Sequence, residues 1–435
     1  MDRADDGEQH IAPVHHRSRR AGDHHGRYHA PRLSRVGLLV LLAVVPLTVA
    51  AVVAIVATWP PPVADAADRA GLVDSGVHYY RATVSDSAAD TCPGTQENVT
   101  ADGTVPETVP CERVRARVAE GPSAGTLVTV FPTFGLAPRD VQAGVGIVVE
   151  HYPAGDGYDE LWAFSDVERA VPLTTLGLAF LLVTAVIAGW RGIRALVGLL
   201  VAMALLWVYV LPSLVAGENA LVVTLAASVA IMTVVGYLTH GLSMRTSTAL
   251  LGTFAGLAAI AGLGAFGAWA ARLNPVTSEE DYRLAGLLGD HGLASLRGVF
   301  LAGVVLAGLG VLNDVTITQV SAVWELRAAN PAASWQQLFA GGMRIGRDHV
   351  ASTIYTIAFA YVGASLPVLL LLELYQVSLM RTLTGGAFAA EIVRTLSGSI
   401  GLVLAIPLTT GVAAMVAVRS DPTTLRLGHT HPATA

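Results

Sequence analysis

The feature that most constrains this chain is a series of apolar stretches, each long enough to cross a membrane. A hydrocarbon core about 30 Å thick is spanned by roughly 20 apolar helical residues, because a helix rises about 1.5 Å per residue. The sequence contains eight such stretches, at 36–58, 171–190, 195–215, 220–239, 248–271, 298–320, 350–372 and 396–418. We therefore predict a membrane all-α bundle of about eight transmembrane helices.

The composition agrees with a bilayer environment and argues against a nucleic-acid partner. Hydrophobic residues make up 53% of the chain and charged residues only 14%, which is typical of a protein with many membrane spans. The formal net charge is −6, and no segment resembles a basic recognition helix. The lipid bilayer is accordingly the first partner that the sequence predicts.

The two ends of the chain carry polar tails. Residues 1–34 are rich in His, Arg and Asp and lack apolar periodicity, which predicts a disordered cytoplasmic tail. Metal binding by its paired histidines is the less favoured alternative to a solvated cationic arm. Residues 35–59 form the first transmembrane helix, read as an uncleaved anchor because no convincing cleavage site follows. Residues 420–435 form a second cytoplasmic tail.

Residues 60–168 are the one sizeable water-soluble segment and read as β-rich. Short alternating runs at 78–84, 113–118, 126–131, 146–151 and 161–164 are separated by Gly, Pro and Asp. They predict a small β-rich extracytoplasmic domain between the first two helices, either a barrel or a sandwich, with an OB-like fold as one candidate. Arg113, Arg115 and Arg117 alternate with apolar residues, which predicts a strand with a solvated basic face or a face in contact with anionic lipid.

The distribution of arginines predicts the orientation. Short loops that would be cytoplasmic carry more arginine than those that would be outside, so both termini are predicted to be cytoplasmic. Residues 60–168 then lie outside the cell, where a disulfide between Cys92 and Cys111 is plausible. Residues 169–419 form the multi-pass membrane domain.

Polar residues in the sixth and seventh apolar stretches and in the turn between them form the main candidate site. Asn313 and Asp314 interrupt the sixth stretch, and an intramembrane carboxylate is costly unless it has a partner or a function. The candidate residues recur at helical spacing on two faces: Asn313, Asp314, Thr316, Thr318, Ser321 and Glu325 on the first, and Arg344, Arg347, Asp348, Ser352 and Tyr355 on the second. Two interpretations stay open: an ion or proton site, or a structural pair of Asp314 with Arg344 or Arg347.

Two further polar segments carry weaker signals. Residues 341–348 place glycines and arginines before the predicted start of the seventh helix, as in an anion-binding helix N-terminus. Positive-inside anchoring explains the same arginines equally well. His240 lies in a predicted cytoplasmic turn, where it is either a proton relay or an incidental loop histidine.

Small residues in the apolar stretches indicate close helix packing. Gly252 and Gly256 form a GxxxG motif, and Gly303 with Ala307 forms a similar pair. Pro407, in the last stretch, predicts a kink.

The polar stretches also resemble a known family. The runs GLGVLNDVTITQVSAVWELRAANP and SWQQLFAGGMRIGRDHVASTIYTIAFAYVGASLPVLLL, with THGLSMRTSTALLG upstream and GSIGLVLAIPLTTGVAA downstream, resemble the YibE/F family of bacterial membrane proteins. The resemblance covers about residues 110–418 and implies a multi-pass protein of the bacterial cell membrane with a small β-rich extracytoplasmic segment. It implies no reaction.

Function is narrowed to two classes. Short catalytic, cofactor-binding and metal-ligand motifs are absent, so we expect neither an enzyme nor a bound cofactor or metal. The first class is a transporter or permease for a small solute or ion, using the polar faces of the sixth and seventh helices. The alternative is a non-transporting scaffold or accessory subunit, whose extracytoplasmic domain binds a protein partner.

Overall fold

The computed structural model describes residues 35–61, 77–100, 102–132, 136–154, 159–274, 276–277, 279–287, 292–376 and 378–419. The predictions made for the tails 1–34 and 420–435 lie outside these residues, as does the stretch 62–76 that joins the first helix to the first strand.

The described chain is mostly helical. The helices are α1 (Arg35–Ala57), α2 (Ala170–Leu205), α3 (Ala220–His240), α4 (Met244–Ala270), α5 (Glu279–Leu287), α6 (Gly292–Ala329), α7 (Trp335–Ala364), α8 (Leu366–Leu374), α9 (Leu379–Thr384) and α10 (Gly386–Arg419). A π-helical turn, Leu206–Val210, extends α2 into a short helical end at Leu211–Val215.

Six helices are long and apolar enough to cross a membrane, or up to seven if α7 and α8, bent by 61° at their junction, form one span. This count treats 170–215 as one segment, whereas the sequence predicted two spans there. Helices α4, α6, α7 and α10 also extend beyond the predicted apolar stretches, because polar residues continue the helix past the lipid core. The multi-span helical architecture is thus confirmed, and the number eight stays a prediction.

Gly189 divides α2 sharply. Its φ of 56° and ψ of −143° are not helical. A Cβ added at Gly192 would lie 2.7 Å from the carbonyl oxygen of Thr184, although eight residues of straight helix cover about 12 Å. The chain therefore turns back on itself here. The parts before and after Gly189 measure about 28 and 39 Å, and each is long enough to cross a bilayer.

Local sequence signals fix where several helices begin. Asn219 accepts a hydrogen bond from the backbone N–H of Val222 and so caps α3. Ser243 caps α4 in the same way, through the N–H of Thr246. Before α7, the side chains of Ser334 and Gln337 form a reciprocal capping box. Each cap satisfies N–H groups that the first helical turn leaves without a backbone acceptor.

The segment between α1 and α2 contains a small antiparallel sheet, which confirms a β-rich region in this part of the chain. Its strands are β1 (His78–Pro93), β2 (Thr108–Val118), β3 (Leu127–Val130), β4 (Gly146–Tyr152) and β5 (Leu161–Val167), in the order β3-β2-β1-β4-β5. The two edge strands β3 and β5 contact each other, so the sheet curls towards closure.

The alternation along β2 separates the core of the sheet from its charged face. Val114 and Ala116 are fully buried, whereas Arg113 and Arg115 point outward. Arg115 pairs with Asp86 on β1, with its Nε 2.7 Å from the carboxylate. The basic face is therefore solvated and lies against acidic groups of the neighbouring strand. Near the far end of the same strand pair, a disulfide joins Cys92 to Cys111.

The core of the membrane domain lies where α4, α6 and α10 cross. Glycines allow this close approach: a Cβ at Gly252 would lie 2.1 Å from the Thr409 hydroxyl, and one at Gly256 would lie 2.6 Å from Leu312. The GxxxG motif thus packs helices within the chain. Ile260 fills the next layer, where added Cβ atoms at Gly308 and Gly401 would lie 2.4 and 2.2 Å from its side chain.

Candidate functional site: a polar line along α10

Buried polar side chains gather on the side of the Ile260 layer nearer the α6–α7 turn. Thr253 on α4 and Thr316 on α6 are buried, and their hydroxyl oxygens lie 2.7 Å apart. One hydroxyl donates to the other, and the accepting hydroxyl donates its own hydrogen to a carbonyl one turn earlier in its helix, Ala249 for Thr253 or Leu312 for Thr316. This satisfies both groups and leaves a polar bridge between two apolar helices.

Gln319 extends this polar region to α7 and α10. Its side chain is 2% exposed, and its Nε2 donates to the Gly342 carbonyl at 2.6 Å and to the Thr410 hydroxyl at 2.8 Å. An added Cβ at Gly346 would lie 3.1 Å from the Gln319 Oε1. The glycines of α7 therefore make room for an amide that joins three helices.

One face of α10 carries buried polar atoms with no hydrogen-bond partner in the described part of the chain. They are the Glu391 Oε1, the Arg394 Nε and the Thr409 Oγ1. Positions 391 and 409 are separated by five full helical turns and so share a direction. The other carboxylate oxygen of Glu391 accepts from Arg394 at 2.8 Å. An unpaired buried polar atom costs about 1–3 kcal/mol, so three on one face need an explanation.

The predicted pairing of Asp314 with Arg344 or Arg347 does not form. Asp314 instead lies 3.6 Å from the Nε2 of His349 on α7, and its side chain is 73% exposed. Arg344 and Arg347 are exposed on the outer side of α7. The reason is the rotation of α7, whose glycine face is turned to α6 and α10, so that its arginines point away.

The predicted polar face of α6 divides into separate groups. Ser321 accepts a hydrogen bond from the Nε of Arg245 on α4 at 3.2 Å, and the charge of Glu325 acts on the same arginine. Thr318 donates to the Asp314 carbonyl in its own helix, and Asn313 is half-buried. The structure therefore brings Ser321 and Glu325 to α4, not to α7.

The second predicted face and the glycine–arginine segment are also placed differently. Helix α7 begins at Trp335, so residues 341–348 lie inside it and form no helix N-terminus. The predicted anion site at a helix start was wrong there, because the capping box at Ser334 starts the helix two turns earlier. Asp348, Ser352 and Tyr355 lie on the exposed side of α7.

The sequence of the membrane domain matches a known family. A family model described as YibE/F-like protein matches residues 176–419, which is more than half of the chain. The chain belongs to the YibE/F-like family. The match begins inside α2 and ends with α10, so it leaves out the sheet, which the resemblance had been expected to include in part. No curated protein and no solved structure matches the chain.

All of these membrane side chains fall inside the range matched by the YibE/F-like model, yet several of the buried ones were not predicted from sequence. Gln319, Thr409 and the ion pair of Glu391 with Arg394 are the main examples. A signal was available in the sequence: these residues lie on helix faces that also carry glycine. Glycine marks a face where another helix approaches closely, and a polar side chain on such a face is therefore buried between helices. His240, which was predicted, is the exposed last residue of α3 beside the α3–α4 turn.

Proposed function

We propose that this YibE/F-like chain is a non-catalytic permease of the bacterial cell membrane, with both termini cytoplasmic, that passes a small polar solute or an ion along the inner face of α10. The observation that carries this proposal is the set of unpartnered buried atoms on that face, at Glu391, Arg394 and Thr409. A solute or ion moving between α4, α6 and α10 would supply the missing hydrogen bonds. Packing alone would favour apolar side chains at these positions.

An apolar layer separates the two polar ends of this route. Ile260 is fully buried and fits between Gly308 of α6 and Gly401 of α10. Glu391 and Arg394 lie on one side of this layer along α10, and Thr409 with the Gln319 amide lies on the other. Such an order is what a closed permease needs: polar groups that bind the solute at each side, and a side chain that blocks the passage between them.

The direct test removes the Thr409 hydroxyl while keeping the shape of the side chain. We expect Thr409→Val to keep its abundance, because the hydroxyl has no partner to lose, and to abolish the difference in metabolite and metal-ion content between overproducing and deleted cells. Thr174→Val is the matched control, since its hydroxyl bonds only within α2, to the Ala170 carbonyl. If cells that overproduce Thr409→Val still differ from deleted cells as much as cells that overproduce the wild type do, the proposal is contradicted.

The apolar layer gives a second, opposite test. We expect Ile260→Ala to increase the passage of small ions through reconstituted vesicles, because it opens the space between Gly308 and Gly401. The paired variant is Phe266→Ala, on the exposed side of the same helix. Equal ion flux through both variants and the wild type would count against a route at this place.

A scaffold or accessory subunit is the second candidate, and the sheet gives it support. His151 and Trp162 stack with ring centroids 4.3 Å apart, and Tyr80 lies beside them. Glu160 bonds both the His151 ring and the Trp162 indole N–H. Aromatic groups with polar ends are common in protein interfaces. If Trp162→Ala removes function while Thr409→Val does not, partner binding is the better account.

A further inference from the structure

A group of basic side chains from separate helices meets at the α3–α4 turn. Arg191 and Arg194 follow the reversal at Gly189, His240 ends α3, and Arg245 lies in the first turn of α4. We call these four residues the basic cluster. Arg245 is also fixed to α6 by its hydrogen bond to Ser321. The residues of the cluster therefore lie on α2, α3 and α4, and α6 holds one of them by a hydrogen bond.

Helix packing aligns the members of this cluster. A Cβ at Gly198 would lie 3.3 Å from Val235, so α2 after Gly189 runs against α3. The two helices are antiparallel, which places Arg194, one turn before Gly198, opposite the end of α3 at His240. The charges of Arg191, Arg194 and Arg245 all act on His240. These groups thus share one end of the bundle.

Among the described residues, the charges that act on His240 and Arg245 come from three arginines and one carboxylate, Glu325. Glu325 is the carboxylate whose charge acts on Arg245, while Arg191 opposes it. Arg194 is half-buried, and its Nε is enclosed without a hydrogen-bond partner among the described residues. An enclosed guanidinium N–H without an acceptor next to other cations is costly, and a bound anion would supply the missing hydrogen bond and reduce the repulsion.

From this arrangement we infer that the basic cluster binds a phosphate group, held by Arg194 and Arg245 with Arg191 and His240 at its edge. Guanidinium groups bind phosphate oxygens through paired N–H donors, and the positive N-terminal end of α4 points to the same place. The phosphate could belong to a lipid headgroup or be free in solution, since both present the same oxygens. This site is independent of the route proposed along α10.

The test measures phosphate binding to the full-length protein purified in mild detergent. Native mass spectrometry would count retained phospholipids, and thermal unfolding would be followed during titration with inorganic phosphate. We expect Arg194→Gln or Arg245→Gln to weaken the binding about tenfold or more, because each removes a charge-assisted donor. Arg419→Gln is the matched control: Arg419 is exposed at the same end of the bundle, where Arg327 of α6 bonds the Val418 carbonyl.

The outcomes separate the two sources. Phospholipid retained by the wild type and the control but lost in the cluster variants assigns a lipid headgroup. A phosphate-dependent rise in unfolding temperature that the cluster variants lose assigns free phosphate. If Arg194→Gln fails to fold, Arg194→Lys keeps the charge but loses the paired donors, and weaker binding is still expected. Equal binding by the wild type, the cluster variants and the control overturns the inference.

Discussion

Single glycines decide how closely the helices of this chain can meet. At Gly252 the nearest neighbour is the Thr409 hydroxyl, and at Gly346 the Gln319 amide lies close together with the Ile406 side chain. Both contacts bring a polar side chain against a bare helix backbone. The same residues therefore allow close helix packing and make room for buried polar side chains. Adding one methyl group at such a glycine tests how closely the helices pack there.

We expect Gly252→Ala to destabilise the protein by about 1–3 kcal/mol, because the new Cβ overlaps the Thr409 side chain in a filled core. Gly262→Ala is the matched control in the same helix, since nothing lies within 4 Å of its added Cβ. Alanine has the better helix propensity, so the control should be neutral or slightly stabilising. Thermal unfolding in detergent measures both, and equal unfolding temperatures would contradict the packing at Gly252.

The pair of Asp314 with His349 should contribute little to folding. The carboxylate is mostly exposed, and exposed pairs contribute about 0–1 kcal/mol. We expect Asp314→Asn to leave abundance and unfolding temperature nearly unchanged, with Arg347→Gln as a charge-changing control on the same outer surface. A large loss of abundance in Asp314→Asn alone would show that this carboxylate is buried against something in the assembled protein.

At the scale of elements, ion pairs between the strands and a disulfide at one end stabilise the long β1–β2 pair. Arg115 with Asp86, and Arg113 with Asp90, are ion pairs across the strands. The hydrogen bond from Arg115 holds the pKa of Asp86 below its ordinary value of 3.8. The disulfide closes the distal end of the same pair, which hydrogen bonds alone would leave free to fray.

The depressed pKa of Asp86 gives a pH dependence with a definite sign. A lowered pKa in the folded state stabilises the strands above the ordinary value, and this contribution is lost as pH falls through it to the folded-state value. We expect Asp86→Asn to reduce protection of β1 from hydrogen exchange at pH 7, and wild type and variant to converge below about pH 4. Glu107→Gln is the control, since Glu107 is exposed. A difference independent of pH would refute the link.

Cleaving the disulfide should affect a limited part of the sheet. The bond closes a loop with a sequence separation of 19, worth about 3 kcal/mol in the entropy model. We expect the double variant Cys92→Ser, Cys111→Ser to exchange faster at the distal ends of β1 and β2. Strands β4 and β5, which the bond does not touch, should change little. Hydrogen exchange by mass spectrometry resolves these peptides, and uniform loosening of all five strands would contradict this division.

At the scale of the whole molecule, the reversal at Gly189 determines the topology. If 170–188 and 190–215 are separate spans, the α3–α4 turn lies on the same side as the N-terminus. If 170–215 counts as a single span, that turn lies on the opposite side. The arginine distribution favours the first arrangement.

Labelling of single introduced cysteines distinguishes these arrangements. Leu242 in the α3–α4 turn is 87% exposed, and Ser123 lies in a surface turn of the sheet. In cells carrying serine at both native cysteines, we expect Ser123→Cys to react with an impermeant reagent from outside. Leu242→Cys should react only after permeabilisation. Labelling of Leu242→Cys in intact cells would mean that 170–215 crosses the membrane once, so that the two predicted spans there become one and the total falls from eight to seven.

The sequence was sufficient to predict where the helices and strands lie, but it was insufficient to predict which face each helix turns towards its neighbours. All five strands were expected near their observed places, because period-two alternation records directly which side is buried. Helix α7 shows the opposite case. Its polar residues were placed on one face correctly, but the face turned to α6 is the one with Gly342 and Gly346, and Arg344 points outward.

Lipid explains why helix rotation is harder to predict. A soluble helix buries its apolar side, so its pattern gives its orientation, whereas a membrane helix has apolar neighbours on every side. What then orients the helix is the match of small residues with bulky partners on other helices. Gln319 was missed for this reason, since a glycine on its own helix face does not show that Gly342 and Thr410 of two other helices surround it.

The joint between the sheet and α2 has a mechanical consequence. Strand β5 ends at Val167 and α2 begins at Ala170, with Arg169 bonded to Asp166 across the joint. Such a short connection transmits torque between the sheet and α2. The first part of α2 then acts as a lever about 28 Å long, and tilting the sheet by about 10° would displace its far end, at Gly189, by about 5 Å. A force applied to the sheet would therefore displace first the reversal at Gly189, next to Arg191 and Arg194.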